Sequence, residues 1–424
     1  MFEGNWGQAA HSVAQAVLRI LFVAGAILAM EWPALATAPD ADPAMVAEPL
    51  VAYGARIAGD KVRTRIVIDF EKEPEFKVHY IASPPRIIVD LPATAFNFDA
   101  SELEARGLFS DIRYGAIDAD SARLVLTAEH PARLVMSEVQ EDVEGKGYRL
   151  VLDAETAPDH VFNDLVRMGW NETAIAPKPG RAGRVPPVAP AKRGDFVVAI
   201  DAGHGGIDAG ASGAVTKTPE KEITLAFAKE FADELNRQPG FHAFLTRTGD
   251  EFLSLSERVA IARRNEANLF ISFHADTLRQ SYIRGATVYT ISDNASDKMA
   301  ASLAERENLS DEVAGVAQSV EPDQVTDILL DLTRRETQAF SVSLADSVVK
   351  SFEGEVGLIN NPHRYAGFRV LQAHDVPSIL LELGFLSNKE DEKLLLDPKW
   401  RAKVCGLLTE AVKKYHLPII ANGG

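Results

Sequence analysis

At 424 residues the chain exceeds one ordinary core, and a prior of about 150 residues per domain gives two or three domains. A composition 46% hydrophobic and 25% charged belongs to a folded globular protein and excludes a disordered or fibrous one. With 44 Lys+Arg against 61 Asp+Glu and no segregated basic run, nucleic acid is excluded as a general partner. A single cysteine, Cys405, excludes an internal disulfide framework and any Cys-rich zinc site. Set among Val404, Leu407 and Leu408, Cys405 is read as a buried small hydrophobe.

At the N-terminus, Arg19 precedes an uncharged apolar run over 20–30. It is too short to span a bilayer but suits the apolar region of a signal peptide. Ala34-Leu35-Ala36 supplies a small-x-small cleavage pattern, and no twin-arginine pair occurs. Residues 1–36 are therefore read as a general secretory signal, despite Glu3 and little positive charge ahead of the run. After cleavage no transmembrane segment is expected.

Residues 46–155 carry a period of two. Val62, Thr64, Ile66, Ile68 and Phe70 alternate with Arg63, Arg65, Val67 and Asp69, which puts the first set on one strand face. Further strands are predicted over 76–81, 86–91, 123–128, 133–136 and 148–152, with no long helix between them. Arg65-Ile66-Val67-Ile68-Asp69, Arg86-Ile87-Ile88-Val89-Asp90, Arg123-Leu124-Val125-Leu126 and Arg149-Leu150-Val151-Leu152-Asp153 form an internal echo. Such basic-apolar-apolar-apolar strands in a small all-β region resemble the AMIN domain. That resemblance implies a module attaching an enzyme to the envelope at the division site.

Residues 156–195 change character. Pro177, Pro179, Pro186, Pro187 and Pro190 interleave with Gly180 and Gly183, which predicts an extended, partly stiff linker.

From 196 to 418 strand and helix periods alternate, as in an α/β domain with a twisted mixed sheet flanked by helices. Strands are predicted over 196–200, 241–247, 269–273, 286–291, 368–372 and 378–383. Helices are predicted over 219–237 and over 254–267, the latter opened by a Ser254-x-x-Glu257 capping box. A last helix carries Trp400, Val404, Leu407, Leu408 and Val412. Two long helical patterns between 293 and 352 exceed what a minimal α/β unit needs.

Among ten histidines, His204 and His274 each follow directly on an apolar strand. Open α/β sheets place their chemistry at such strand ends. His204 lies in Asp201-Ala202-Gly203-His204-Gly205-Gly206, where glycines allow close backbone approach. Glu220 shares the inward face of its helix with Ile223 and Phe227, and Thr218 as N-cap followed by Pro219 would start that helix. Two imidazoles, one carboxylate and a vacant position make a catalytic zinc set. Glu382 ends an otherwise apolar strand, where a carboxylate without a task would be costly; it is the candidate general base. His363 and His374 are rival ligands.

Four motifs in this order resemble the zinc-dependent N-acetylmuramoyl-L-alanine amidases of the Amidase_3 type. They are Asp201-Ala202-Gly203-His204-Gly205-Gly206, Pro219-Glu220-Lys221-Glu222, Ser272-Phe273-His274-Ala275-Asp276 and Glu382-Leu383-Gly384-Phe385-Leu386-Ser387-Asn388. The resemblance implies one Zn2+ on His204, Glu220 and His274, with Glu382 catalytic. It also implies cleavage of the amide between N-acetylmuramic acid and L-alanine in peptidoglycan during daughter-cell separation; with the export signal the expected location is the periplasm, and a monomer is expected. In this group a regulatory helix blocks the metal until a LytM-type activator displaces it. Met299, Leu303 and Glu307 share a helical face, so Glu307 is the candidate blocking ligand within the insertion over 293–352, with Glu305 as its rival. The alternatives are a non-catalytic peptidoglycan-binding adaptor, which would lack a ligand or the base, and a zinc peptidase acting within the stem peptide.

Overall fold

Strands whose apolar residues alternate can each bury one face, and the first region folds by stacking two sheets on those faces. The computed structural model describes residues 49–118, 120–142, 147–171, 191–192, 194–315 and 328–421. The expected signal peptide and the proline-rich stretch lie outside them. In chain order the strands are β1 (Leu50–Gly59), β2 (Arg63–Phe70), β3 (Lys77–Ile81), β4 (Arg86–Pro92), β5 (Thr94–Phe96), β6 (Phe109–Ala116), β7 (Ser121–Ala128), β8 (Ala132–Glu141) and β9 (Tyr148–Thr156). One sheet has the order β5-β1-β2-β9-β8 and the other β3-β4-β7-β6. Ile66, Ile68, Phe70, Ile87, Val89, Leu124, Leu126, Leu150 and Leu152 meet between them.

The echoed strands are spatial neighbours, since β2 pairs with β9 and β4 with β7. Val62, expected on the inner face, instead precedes β2 and is exposed. β1, β5 and β6 had no clear signal: β1 is rich in alanine and glycine, and its register comes from pairing with β2.

The expected extended linker begins instead with a helix, α1 (Asp159–Asn171). Phe162 is buried and sets its ring edge-on to Tyr80 at 5.9 Å, so a tertiary contact holds this segment helical.

The second region is a six-stranded sheet of order β11-β10-β12-β15-β13-β14. β10 (Phe196–Ala202), β11 (Phe241–Leu245), β12 (Leu269–His274) and β15 (Ser378–Glu382) run parallel. β13 (Ala286–Ile291) is antiparallel to β15 and parallel to β14 (Leu358–Ala366). Helices α2 (Glu220–Asn236), α3 (Leu255–Arg264), α4 (Lys298–Asn308), α5 (Ser310–Val313), α6 (Ile328–Phe352), α7 (Lys389–Leu395) and α8 (Pro398–Ala421) complete it. Both sheet faces are covered, which is why the central strands are continuous apolar runs. Phe227, Phe231, Leu344, Val348, Leu408 and the buried Cys405 pack on one face. Leu255, Ile261, Leu303 and Phe368 pack on the other.

Three local expectations change. Residues 368–372 form a 3-10 turn, Arg369–Leu371, and the edge strand is β14. α2 has Pro219 itself at the N-cap, whose ring offers no acceptor, so no side-chain bond caps it; the Thr218 hydroxyl, expected to cap, pairs instead with that of Thr216. The 254–267 helix is shorter, but its capping box forms: Ser254 Oγ accepts from the Glu257 N–H, and Glu257 accepts from the Ser254 N–H.

The exit of β10 is held from beneath by two buried arginines. Asp201 is fully buried and accepts from Arg258 at 2.9 Å, Thr246 at 2.6 Å and Ser272 at 2.7 Å. Arg258 also donates to the carbonyls of Ala202 and His204, both at 2.8 Å. Arg247 donates to those of Ala202 and Gly203. Three successive carbonyls are thereby satisfied, and His204 is held at φ +61, a conformation unusual for a residue with a side chain.

Replacing Arg258 by Met strands a buried carboxylate and should cost about 3–5 kcal/mol in chemical denaturation. Asp201→Asn combined with Arg258→Met should cost less than the two single changes added. Burial opposes the Asp201 charge, but Arg258, Thr246 and Ser272 outweigh it and hold the carboxyl below its usual range. The stability it confers is present above the ordinary carboxylate pKa of about 3.9 and is lost as pH falls below it. Stability measured below about pH 4 should therefore depend less on pH in Asp201→Asn.

Candidate metal centre

The parallel pairing of β10, β12 and β15 brings three strand ends to one rim, with His274 directly opposite Glu382 in register. Just beyond β10, His204 turns its imidazole toward His274, ring centroids 4.9 Å apart. Two glycines make room. A Cβ on Gly203 would lie 2.5 Å from the His274 ring, and one on Gly210 would lie 2.6 Å from His204 and 2.8 Å from Glu220.

Glu220 opens α2 and is fully buried. Its oxygens accept from the backbone N–H of Ala211 at 2.9 Å and of Ala275 at 2.7 Å. They lie 3.2 Å from His204 Nε2 and 3.3 Å from His274 Nδ1. Glu307, on the buried face of α4, brings Oε2 to 3.0 Å from His274 Nδ1 and 3.6 Å from His204 Nε2. One ligand atom from each of these four residues lies within 4.8 Å of the others.

The donor set fits a metal ion. His204 Nε2 and His274 Nδ1 are buried without a hydrogen-bond partner; the carboxylate oxygens are close but not aligned for an N–H bond. Burial disfavours charge on both imidazoles, yet Asp208, Glu220 and Glu307 hold His204 well above the usual histidine range. Glu307 and Glu220 likewise push His274 up to about 10. The field that favours two imidazolium charges also favours a divalent cation, whose binding displaces those protons.

Around this set lie residues the sequence alone had not singled out. Asp208 Oδ2 is 2.8 Å from His204 Nδ1, which fixes the tautomer and leaves Nε2 facing the cluster. Ser310 donates to the same Asp208 oxygen at 2.6 Å. Asp276 pairs with Arg306 at 2.7 Å; burial, then Glu307 and Glu220, raise its carboxyl to about 6. A sequence signal existed for Arg258: it shares the inward stripe of α3 with Leu255, Ile261 and Ala262, opposite an acid in an apolar strand.

Glu382 is fully buried beside the cluster. Its Oε2 accepts from the Asp276 N–H at 3.0 Å, and its Oε1 has no partner. Burial raises its carboxyl well above the ordinary range, against the partial opposition of His274. The rivals lie elsewhere: Glu305 is exposed, His363 faces Thr290 and Asp346, and His374 lines a small cavity with Gln338 and Val376.

Sequence comparison agrees with this architecture. The profile of the family described as N-acetylmuramoyl-L-alanine amidase matches residues 198–414, and that of the AMIN domain matches 55–156. The amidase AmiC of Escherichia coli is 29% identical over 83% of this chain and 86% of its own. AmiC of Neisseria meningitidis is 30% identical over 85% and 89%, and AmiA of E. coli is 38% identical over 55% and 80%. The chain belongs to the N-acetylmuramoyl-L-alanine amidase family of the Amidase_3 type, with an AMIN domain ahead of the catalytic domain.

Proposed function

We propose that this protein is a zinc-dependent peptidoglycan amidase of the periplasm, acting in cell-wall remodelling and daughter-cell separation and held inactive at rest by Glu307. The observation that carries the reading is the convergence of His204, Glu220 and His274 with two buried, unpartnered ring nitrogens. These three residues would hold one Zn2+. When bound, the ion supplies Lewis acidity at the scissile carbonyl between N-acetylmuramic acid and L-alanine.

The chain's own groups do the rest. Asp208 holds the His204 ring with Nε2 forward. Glu382 is anchored through Oε2 to the Asp276 N–H, which leaves Oε1 free to take a proton from the attacking water. It then returns that proton to the departing alanine nitrogen. Its raised affinity for a proton suits this exchange near neutral pH. Glu307 stands at the fourth corner, where substrate must approach.

Glu382→Gln should lower turnover on purified peptidoglycan by about 10²–10⁴-fold while metal analysis shows zinc retained. Mass spectrometry should find intact stem peptides with a free N-terminal alanine; cleavage inside the stem would overturn the reading.

Glu307→Ala should raise basal hydrolysis about tenfold, and an unchanged basal rate would defeat the inhibition model.

Asp208→Asn should weaken zinc binding by about 10–100-fold in chelator competition.

A further inference from the structure

The echoed strands β4 and β7 break the alternation expected of a half-buried sheet. Ile87, Val89, Leu124 and Leu126 point into the sandwich core. By the period of two, Ile88 and Val125 must point outward, and they sit opposite each other in register. Both are nonetheless fully covered, in a separate cluster with Ile207, Phe252 and Ala314. All three covering residues come from the catalytic region: Ile207 from the loop after His204, Phe252 from the loop before α3, Ala314 from the end of α5.

The same outward face carries Arg86 and Arg123. Arg123 is fixed by Asp90 at 2.6 Å and donates to the Ala314 carbonyl at 2.7 Å. Arg86 donates to the Glu312 carbonyl. These carbonyls belong to the end of α5, and that of Glu312 also accepts from the Gly315 N–H at 3.0 Å. Two guanidinium groups of the β domain thus grip the segment that follows α4. Backbone bonds from Ile207 N–H to Ala116 O at 2.9 Å and from Phe252 N–H to Ile117 O at 3.1 Å tie the same β domain to the loops on either side.

The docked segment is continuous with the residues at the metal centre. One helical step before Ala314, Ser310 bonds to Asp208; one step further, Glu307 faces the two histidines. We propose that the outer face of β4 and β7 is an intramolecular docking surface for residues 310–315, and that this contact latches Glu307 over the metal-binding histidines. The AMIN domain is then part of the gate: anything that lifts residues 310–315 from Ile88 and Val125, or competes for that face, frees α4. The latch rests on the reading of Glu307 as the blocking ligand; the docking contact does not.

The test uses the full chain. Ala314→Asp puts a charge into the apolar cluster from the arm, and Ile88→Glu does so from the β domain. Each should speed amide hydrogen exchange across 298–315 about tenfold or more, with exchange in β10 and β12 unchanged. Each should also raise basal hydrolysis of purified peptidoglycan to the level of Glu307→Ala. Combining Ala314→Asp with Glu307→Ala should add nothing further. Because Ile88→Glu could unfold the β domain, exchange in β2 and β9 is followed alongside, and Ala314→Asp, outside both cores, stands as the independent variant. Unchanged exchange across 298–315 in Ala314→Asp overturns the docking surface. Faster exchange without activation, while Glu307→Ala is active, overturns the latch and leaves the blocking role of Glu307 intact. If Glu307→Ala itself stays at the basal rate, the blocking reading and the latch fall together, and the exchange data alone decide the docking surface.

Discussion

The site depends on one buried ion pair, Asp201 with Arg258. A carboxylate and a guanidinium withdrawn from water cost several kcal/mol each unless their hydrogen-bonding capacity is filled. Here it is filled by the structure that has to be held: Thr246 from the strand end beyond β11, Ser272 from β12, and the carbonyls of Ala202 and His204. The pair therefore ties three neighbouring chain segments and the His204 turn to one point. Without it, the left-handed backbone at His204 would relax toward ordinary angles and carry the imidazole away from His274. The geometry of the cluster is set below the rim, by residues that touch neither metal nor substrate.

That division explains what could be read in advance. His204, His274, Glu220 and Glu382 stand where an apolar pattern meets a polar residue at an element's end, a signal local to a few residues. The two-region organisation was legible for the same reason, because periods of two and of 3.6 are local. Asp208 and Arg247 were not, since their partners lie across loops whose course only the tertiary structure fixes. β1 was missed because its alanines and glycines carry little propensity and it is held by pairing with β2. α1 was missed because prolines further along dominated the composition, while the burial of Phe162 against Tyr80 decides the local conformation.

The middle residues of the echoed strands show how a resemblance can be right and still incomplete. A run such as Arg86-Ile87-Ile88-Val89 identifies a β module, yet in a sandwich with one wet face Ile88 should have been polar. Its apolar character reflects a second neighbour. The cover supplied by Ile207, Phe252 and Ala314 means that the face of β4 and β7 is interior to the whole chain although it is exterior to its own domain.

The electrostatics of the centre would couple the arm to a bound metal. Glu220, Glu307, Glu382 and Asp276 crowd four acidic side chains around two imidazoles, all buried. Such a group is tolerable only with compensating positive charge. Arg306 supplies part of it at Asp276, so the arm that inserts the Glu307 charge also delivers a cation two hydrogen bonds wide. A divalent ion at the histidines would supply the rest and would favour the inserted Glu307 over its release. By linkage, an inserted Glu307 must then favour retention of the ion by the same factor. A resting state closed in the proposed way would protect a bound metal as well as block it. On the proposed reading, opening the arm would withdraw the Glu307 carboxylate while Glu220, His204 and His274 stay fixed by Ala211, Ala275, Asp208 and the β12 register.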